Sequence, residues 1–505
     1  MQRRVGIILQ YGQMALSIII SFIYTPIMLS ILGEAEYGIY NIAFSIISYL
    51  SLLSLGFGAS YIRFYSKYKK EENQKSIAKL NGLFMIVFLG IGILTLVCGF
   101  ALASNPRMFF NNTYSDRDVE IAHVLMLVLT FNMAWSFPSS LFTSYVTAHE
   151  QFVFQKSLNM IKTVVGPFLT LPILLMGYGS IGMVAATTSI TVAVDFANLL
   201  FCCKKLNMRF DFKSPNWGLL SEIASFSIFI AINQIIDQIN WATDKVILGK
   251  FCTSASVAVY AIGSQLSHYY NMFSTAISGV YVPQIHRIET SIADEREKNR
   301  ELTAVFISVG RLQFMVIMLI LTGFTFFGKY FISRWAGPAY LNSYYVALLL
   351  MIPVTVPLIQ NIGIEIQRAK NKHQFRSIVY LGMAVINVTI SVFMAKAWGE
   401  LGAALGTTIS LILANGIVMN IFYYKVIKID VLAFWKNILK FTPALIVPVV
   451  FGSFLMRLYS FHSLIDFGFL VIVYIIIYIG SMYLLGMNKD EKTIISKTIK
   501  KVLKR

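Results

Sequence analysis

The chain has 505 residues, 57% hydrophobic and only 13% charged, with a net charge of +18. A soluble domain lacks the polar surface to hide so much apolar material, so the composition excludes a soluble fold and indicates an integral membrane protein. The positive charge alternates with apolar runs and never gathers into a basic domain, which excludes nucleic acid as a partner and leaves the lipid bilayer.

In chain order, segments able to cross about 30 Å of hydrocarbon fall at 5–32, 37–66, 80–104, 119–147, 152–176, 179–203 and 219–249. They continue at 256–285, 302–327, 341–367, 375–395, 401–424, 434–456 and 464–486, predicting an all-α protein with fourteen transmembrane helices. The first segment follows Arg3 and Arg4 as a signal peptide would, but it is too long and lacks a small-residue cleavage site, so it is expected to stay as a helix. Cys98, Cys202, Cys203 and Cys252 lie in or at the ends of segments without metal or redox spacing and are expected to be small apolar fillers.

The basic residues set the orientation. Of 42 Lys and Arg, 32 fall in alternate loops and at the two ends, against seven in the loops of the other side, so both termini are expected in the cytoplasm. The last stretch places Ile495, Ile499, Val502 and Leu503 on one face with lysines opposite, as in a helix lying on the inner leaflet.

A shift of 220 residues superposes the second half of the chain on the first. It pairs Gly179 with Gly399, Gly182 with Gly402, Thr187 with Thr407 and Thr188 with Thr408, and far away Tyr40 with Tyr260 and Tyr61 with Tyr281. Two distant regions sharing one gapless shift predict parallel six-helix repeats, and such pseudo-symmetric lobes flank a central cavity. The expected division is a first lobe 1–208, a linker 209–217 containing Pro215, a second lobe 218–428, an extra helix pair 429–488 and a basic amphipathic tail 489–505.

The seventh segment contains INQIIDQINWATDKVILGKF, with Asn233, Asp237, Trp241 and Asp244 at steps of three and four, and Lys245 beside them. The 220 shift lays Gln13 and Ser17 of the first segment on the same stripe, and the eighth segment adds Gln265 and His268. Polar stripes of Ser, Thr and Asn glue helices together. A carboxylate in the stripe costs about 2.5–3.5 kcal/mol at the bilayer centre and faces water or a partner, which favours a hydrated chamber. Lys162 and Arg311 also lie about 15 Å from the cytoplasmic face, at roughly 1.5 Å per residue, and with Lys245 they are candidates to attract an anionic head group. Asp195, Asp237 and Glu365 are candidates for a coupling cation; internal ion pairs are the competing explanation for every one of these charges. Pro138, and Pro353 with Pro357, hold nearly corresponding places in the two halves as hinges or packed bends.

No phosphate-binding GxxxxGK[ST] loop occurs, and HEQFV at 149–153 has Val153 where a zinc protease needs histidine. No long outer loop gathers an acid, a base and a nucleophile, so transport outranks catalysis.

The stretches LGEAEYGIYNIAFSIISYLSLLSLGFGASYIRFYSKYKKEEN at 32–73 and DKVILGKFCTSASVAVYAIGSQL at 244–266 resemble the bacterial polysaccharide transporters. These include the Wzx-type flippases of O-antigen, capsule and teichoic-acid precursors, a branch of the multidrug/oligosaccharidyl-lipid/polysaccharide exporter superfamily. The resemblance covers nearly the whole chain. It implies a multi-pass protein of the bacterial cytoplasmic membrane that carries an undecaprenyl-diphosphate-linked oligosaccharide from the inner to the outer leaflet by alternating access. It also implies polysaccharide polymerases and glycosyltransferases as partners and no cofactor, with drive from a sodium gradient, a proton gradient or the membrane potential. A multidrug or cation antiporter of the same superfamily is the alternative, and a membrane enzyme acting on lipid-linked glycans a more distant one.

Overall fold

Long apolar runs punctuated by glycine and proline become helices, because a backbone in hydrocarbon must satisfy its own hydrogen bonds. The computed structural model describes residues 2–213, 218–372, 374–459, 461, 463–489 and 491–493, with the side chains of 2–8, 225, 226, 228, 229 and 276 left aside. Among these residues all regular structure is helical. The part of the linker at 214–217 and the tail helix from 494 onward lie outside the described residues.

The helices are α1 (Gln2–Ser48), α2 (Phe57–Lys70), α3 (Gln74–Ser104), α4 (Asp116–Ala148), α5 (Phe152–Leu175) and α6 (Gly179–Lys204). They continue as α7 (Gly218–Phe251), α8 (Ser254–Gly279), α9 (Val282–Ser291), α10 (Glu295–Trp335), α11 (Ser343–Ile359) and α12 (Ile362–Ala369). Then come α13 (Gln374–Leu411), running on through π-helical turns and α14 (Met419–Phe422), α15 (Val431–Leu439), α16 (Thr442–Leu458) and α17 (Leu464–Ser481). Nine helices among the described residues are long and apolar enough to cross a membrane, or ten if the bent pair α15 and α16 counts as one. Two of the nine are merged stretches. Leu9–Lys70 contains Gly33 at φ 72°, and Gln374–Ile427 contains Gly399 at φ 57°, a left-handed conformation that glycine adopts without a Cβ clash.

Several expected segments are broken inside. The second ends in a 3-10 turn, Tyr49–Ser54, before α2, and the tenth is split at Gln360 and Asn361 between α11 and α12. The paired prolines do not behave alike: α4 runs uninterrupted past Pro138, whereas α11 stops two residues after Pro357.

The chain divides into two compact units. The first comprises Met1–Ile262, Trp335–Ala339 and Tyr380–Thr407; the second comprises Gly263–Arg334, Tyr340–Val379 and Thr408–Arg505. The first packs Phe57, Tyr61, Phe84, Leu141, Cys202 and Ile223 into one core. There the Tyr61 hydroxyl donates to Asn81 at 2.6 Å, and Asn81 donates to the Arg209 carbonyl at 2.8 Å, which ties the chain after α6 to α3. In the second, Phe306, Phe434 and Phe441 are fully buried, and Gln313 of α10 donates to the Ser274 carbonyl and hydroxyl. Large apolar side chains such as Ile93, Phe168, Phe393 and Ile465 stay outside, an exterior that lipid would cover. The four cysteines are free thiols.

Some positions paired by the 220-residue shift have comparable surroundings. Tyr24 lies beside Tyr40, and their counterparts Asp244 and Tyr260 share a hydrogen bond. Gly179 and Gly399 both take φ 57°. Glu36 accepts the backbone N–H of Ser180, while at the corresponding corner Gly399 sits against Ser256.

His149 lies just beyond the end of α4, outside the spans. His149 Nδ1 meets the Tyr145 carbonyl at 2.9 Å, so that nitrogen carries the proton and Nε2 accepts from the Tyr65 hydroxyl at 2.8 Å. Burial lowers the imidazole pKa below 6.5, the Tyr145 carbonyl partly offsets this, and Lys69 lowers it further. The folded state therefore favours the neutral ring. Its contribution is complete above pH 6.5, the ordinary value, and is lost as pH falls through the depressed folded value. Thermal unfolding between about pH 5 and pH 8 should show this loss; His149→Gln should flatten it, and an unchanged slope would refute the assignment.

Candidate transport site

The polar stripe of α7 is divided by its surroundings. Near the end of the helix Asp244 is 2% exposed, and its Oδ2 accepts from the Tyr260 hydroxyl of α8 and, at 2.6 Å, from Thr407 Oγ1 of α13. Thr407 Oγ1 lies 3.3 Å from Asn387 Oδ1; Ser391 Oγ donates to that same oxygen at 3.1 Å and stands 3.4 Å from the Ala403 carbonyl. The local sequence explains how the two arms of α13 come so close. A Cβ at Gly402 would meet the Met394 carbonyl at 1.9 Å, and one at Gly406 would meet Ser391 Oγ at 2.4 Å.

The resulting donor set is entirely oxygen: one carboxylate, one amide, one carbonyl and three hydroxyls. Such a set suits a hard cation or a proton, and not a metal that seeks thiolate or imidazole. Among the described residues no group of three or more His, Cys, Asp and Glu stands together.

Midway along α7, Asp237 is exposed and Trp241 is 47% exposed, while Asn233 is half-buried. The adjoining face docks on the first repeat: Gln238 donates to Ser48, Tyr49 bonds Thr243, and Gln234 accepts from Ser54 at 3.4 Å. Lys245 is half-buried with Asp244 as its charged neighbour. α7 therefore combines a sealed carboxylate, a basic group and an open polar face.

In the first repeat Gln13 and Ser17 are half-buried on α1. Lys162 of α5 and Asp195 of α6 are brought together, with Ser139 and Trp135 of α4 beside the carboxylate. Trp135 Nε1 is within reach but outside bonding geometry. In the second unit Gln265 donates to Tyr269 at 2.7 Å and His268 is exposed.

Two expectations change. Arg311 was expected to attract a head group, but it is 4% exposed and its guanidinium is already committed. It pairs with both carboxylate oxygens of Glu491 at 2.7 and 2.9 Å, donates to the carbonyls of Asn437 and Gly486, and stacks on Phe441. With four N–H bonds made, it is a tie between α10, α15 and the chain after α17. Glu365 was expected inside the tenth membrane helix; it lies in the separate α12 and pairs at 2.6 Å with Arg368, which is 59% exposed.

Tyr260, Asn387 and Ser391 were missed as partners of Asp244. The repeat pairing of Tyr40 with Tyr260 and of Thr187 with Thr407 was the available signal for two of the groups around this carboxylate.

The helix order matches solved transporters. The lipid II flippase MurJ in an inward closed conformation superposes with a TM-score of 0.70 over 94% of this chain and 97% of that one, at 14% identity. An inward-facing multidrug resistance MATE family transporter of the MOP superfamily gives 0.63 over 84% and 96%, at 13% identity. These likenesses show the fold, and with the long apolar helices and the family match that follows they define a multi-pass protein of the bacterial cytoplasmic membrane. Residues 6–289, more than half of the chain, match the family described as polysaccharide biosynthesis protein, and the chain belongs to that family. A Shigella flexneri protein assigned as an O-antigen transporter is 20% identical over 396 residues, covering 76% of this chain and 88% of the relative.

Proposed function

We propose that the protein flips a polyprenyl-diphosphate-linked oligosaccharide from the inner to the outer leaflet by alternating access. In this reading the chain crosses the membrane fourteen times, both termini face the cytoplasm, and lobes 1–208 and 218–428 enclose a central cavity. The observation that carries it is α7, whose exposed Asp237 and Trp241 and half-buried Lys245 form a polar face in a member of a polysaccharide biosynthesis family. Lys245, with Lys162 from the first repeat, offers cationic donors for a diphosphate, while Trp241 offers an aromatic face to a sugar. The oxygen cluster at Asp244 is the coupling site, which takes that role over from Glu365. The polyprenyl tail stays in lipid, and the glycosyltransferases and polymerase of the same glycan act before and after the transfer.

Transfer of a defined lipid-linked oligosaccharide across reconstituted vesicles tests the reading. Lys245→Ala should slow transfer by about tenfold or more, the worth of a charge-assisted hydrogen bond, with the protein still inserted. Parental rates would remove Lys245 from the site. The oxygen cluster also fits a cation antiporter, so the same vesicles should be offered an organic cation. Exchange of that cation without transfer of the lipid-linked sugar would favour the antiporter.

A further inference from the structure

Pro26 lies inside α1 and has no N–H, so the carbonyl of Phe22 four residues earlier loses its helical donor. An unpaired carbonyl in a dry setting is unfavourable and takes any donor within reach. The donor comes from 313 residues away: Trp335 Nε1, at the last residue of α10, donates to the Phe22 carbonyl at 2.8 Å. The two rings meet with centroids 5.4 Å apart, and Trp335 is 9% exposed. Phe22 belongs to the first sequence repeat and Trp335 to the second, and both fall in the first compact unit.

Three more contacts between the repeats lie on the side with few basic residues. A Cβ at Gly38 would stand 2.0 Å from the Ser254 carbonyl, and one at Gly249 would stand 3.0 Å from Ile42. Asn111 donates to the Cys252 carbonyl at 2.7 Å. Gly38 brings backbone against backbone here, and Gly249 lets the Ile42 side chain close in.

We infer that these contacts are the closed outer gate of the transporter and that the bond from Trp335 to the proline-orphaned carbonyl of Phe22 is its latch. The inference rests on the alternating-access reading above. It also assigns a property to the latch. While the gate is dry, breaking the bond costs the indole N–H and the carbonyl this partner at the same moment. Once water or a hydrated sugar fills the opening, both find partners. The latch therefore opposes a narrow, dry opening and yields to a wide, hydrated one.

Cys252 at the seam is a built-in reporter. Burial and the neighbouring Glu400 raise its thiol pKa, so it reacts slowly while the gate is shut. In right-side-out vesicles, with Cys98, Cys202 and Cys203 changed to serine, the labelling rate of Cys252 by an impermeant maleimide reads the open fraction. Trp335→Phe keeps the ring and removes the donor, and is expected to raise that rate about tenfold. Pro26→Ala gives the Phe22 carbonyl its helical donor back and should raise the rate by itself. Adding Trp335→Phe to Pro26→Ala should then change nothing further. A parental rate in either single variant, or fully additive effects in the double, would overturn the latch. Pro26→Ala stands alone as the test if Trp335→Phe does not insert. Labelling requires no substrate, so its outcome is separate from the vesicle transfer that judges the proposed function.

Discussion

Asp244→Asn is expected to leave a protein that folds and inserts but whose transfer rate falls roughly 100-fold, at the upper end for losing a group that tunes a metal site, and no longer responds to any imposed ion gradient. The exchange preserves shape. It removes the single negative charge among the oxygens of Asn387, Ser391, Ala403 and Thr407, and it places an amide N–H₂ where Tyr260 or Thr407 needs an acceptor. Stability should fall far less than activity, because only one hydroxyl donor and the neighbouring Lys245 lose a partner while the shape is kept. That split between activity and stability is the signature of a coupling site. Ser391→Ala and Asn387→Ala should give smaller losses, about tenfold, by removing one oxygen each. Transfer would be measured in vesicles with sodium and proton gradients imposed in turn. An Asp244→Asn protein that still follows one of them would strip the cluster of its coupling role.

Arg311→Ala should have the largest effect on stability. Its guanidinium is held by Glu491 and two carbonyls and rests on Phe441 at 4.2 Å from the ring centroid. Removing one partner of a buried ion pair leaves the other uncompensated, typically at a cost of about 3–5 kcal/mol. Glu491 is also fixed by a reciprocal capping pair, its backbone N–H donating to Asn488 Oδ1 and its Oε2 accepting from the Asn488 N–H, both at 2.8 Å. The variant should therefore lose thermal stability and release the chain beyond α17. A double change to Arg311→Met and Glu491→Leu should recover much of the loss, since an apolar pair needs no compensation. Full stability of Arg311→Ala together with abolished transfer would return Arg311 to the transport site.

Much of the fold was legible before any coordinates. Apolar length placed the helices, and the glycines that separate paired helices, Gly33 and Gly399, fall in the gaps between expected segments. The 220-residue shift pairs Tyr24 with Asp244 and Tyr40 with Tyr260; in the fold Tyr24 lies beside Tyr40 and Asp244 beside Tyr260, although the shift alone did not say that they would meet. The stripe on α7 was legible for the same reason: helical periodicity is local and fixes which residues share a face.

Periodicity does not say which helix lies against that face, and there the sequence reading stopped. It gave the coupling role to Asp237 and only a place in the stripe to Asp244, yet Asp244 is sealed by α8 and α13 while Asp237 is exposed, because Gly402 and Gly406 let the arms of α13 close around Asp244. It placed Arg311 at the right depth, but could not see Glu491 arriving from 180 residues further along. Nor could it pair the Phe22 carbonyl with Trp335. Apolar length, loop charge and internal repetition are properties of the chain itself and were determined by it alone. Which polar groups are satisfied, and by whom, was decided only by the tertiary structure, because hydrogen-bond partners in hydrocarbon are set by proximity in space and leave almost no trace along the chain.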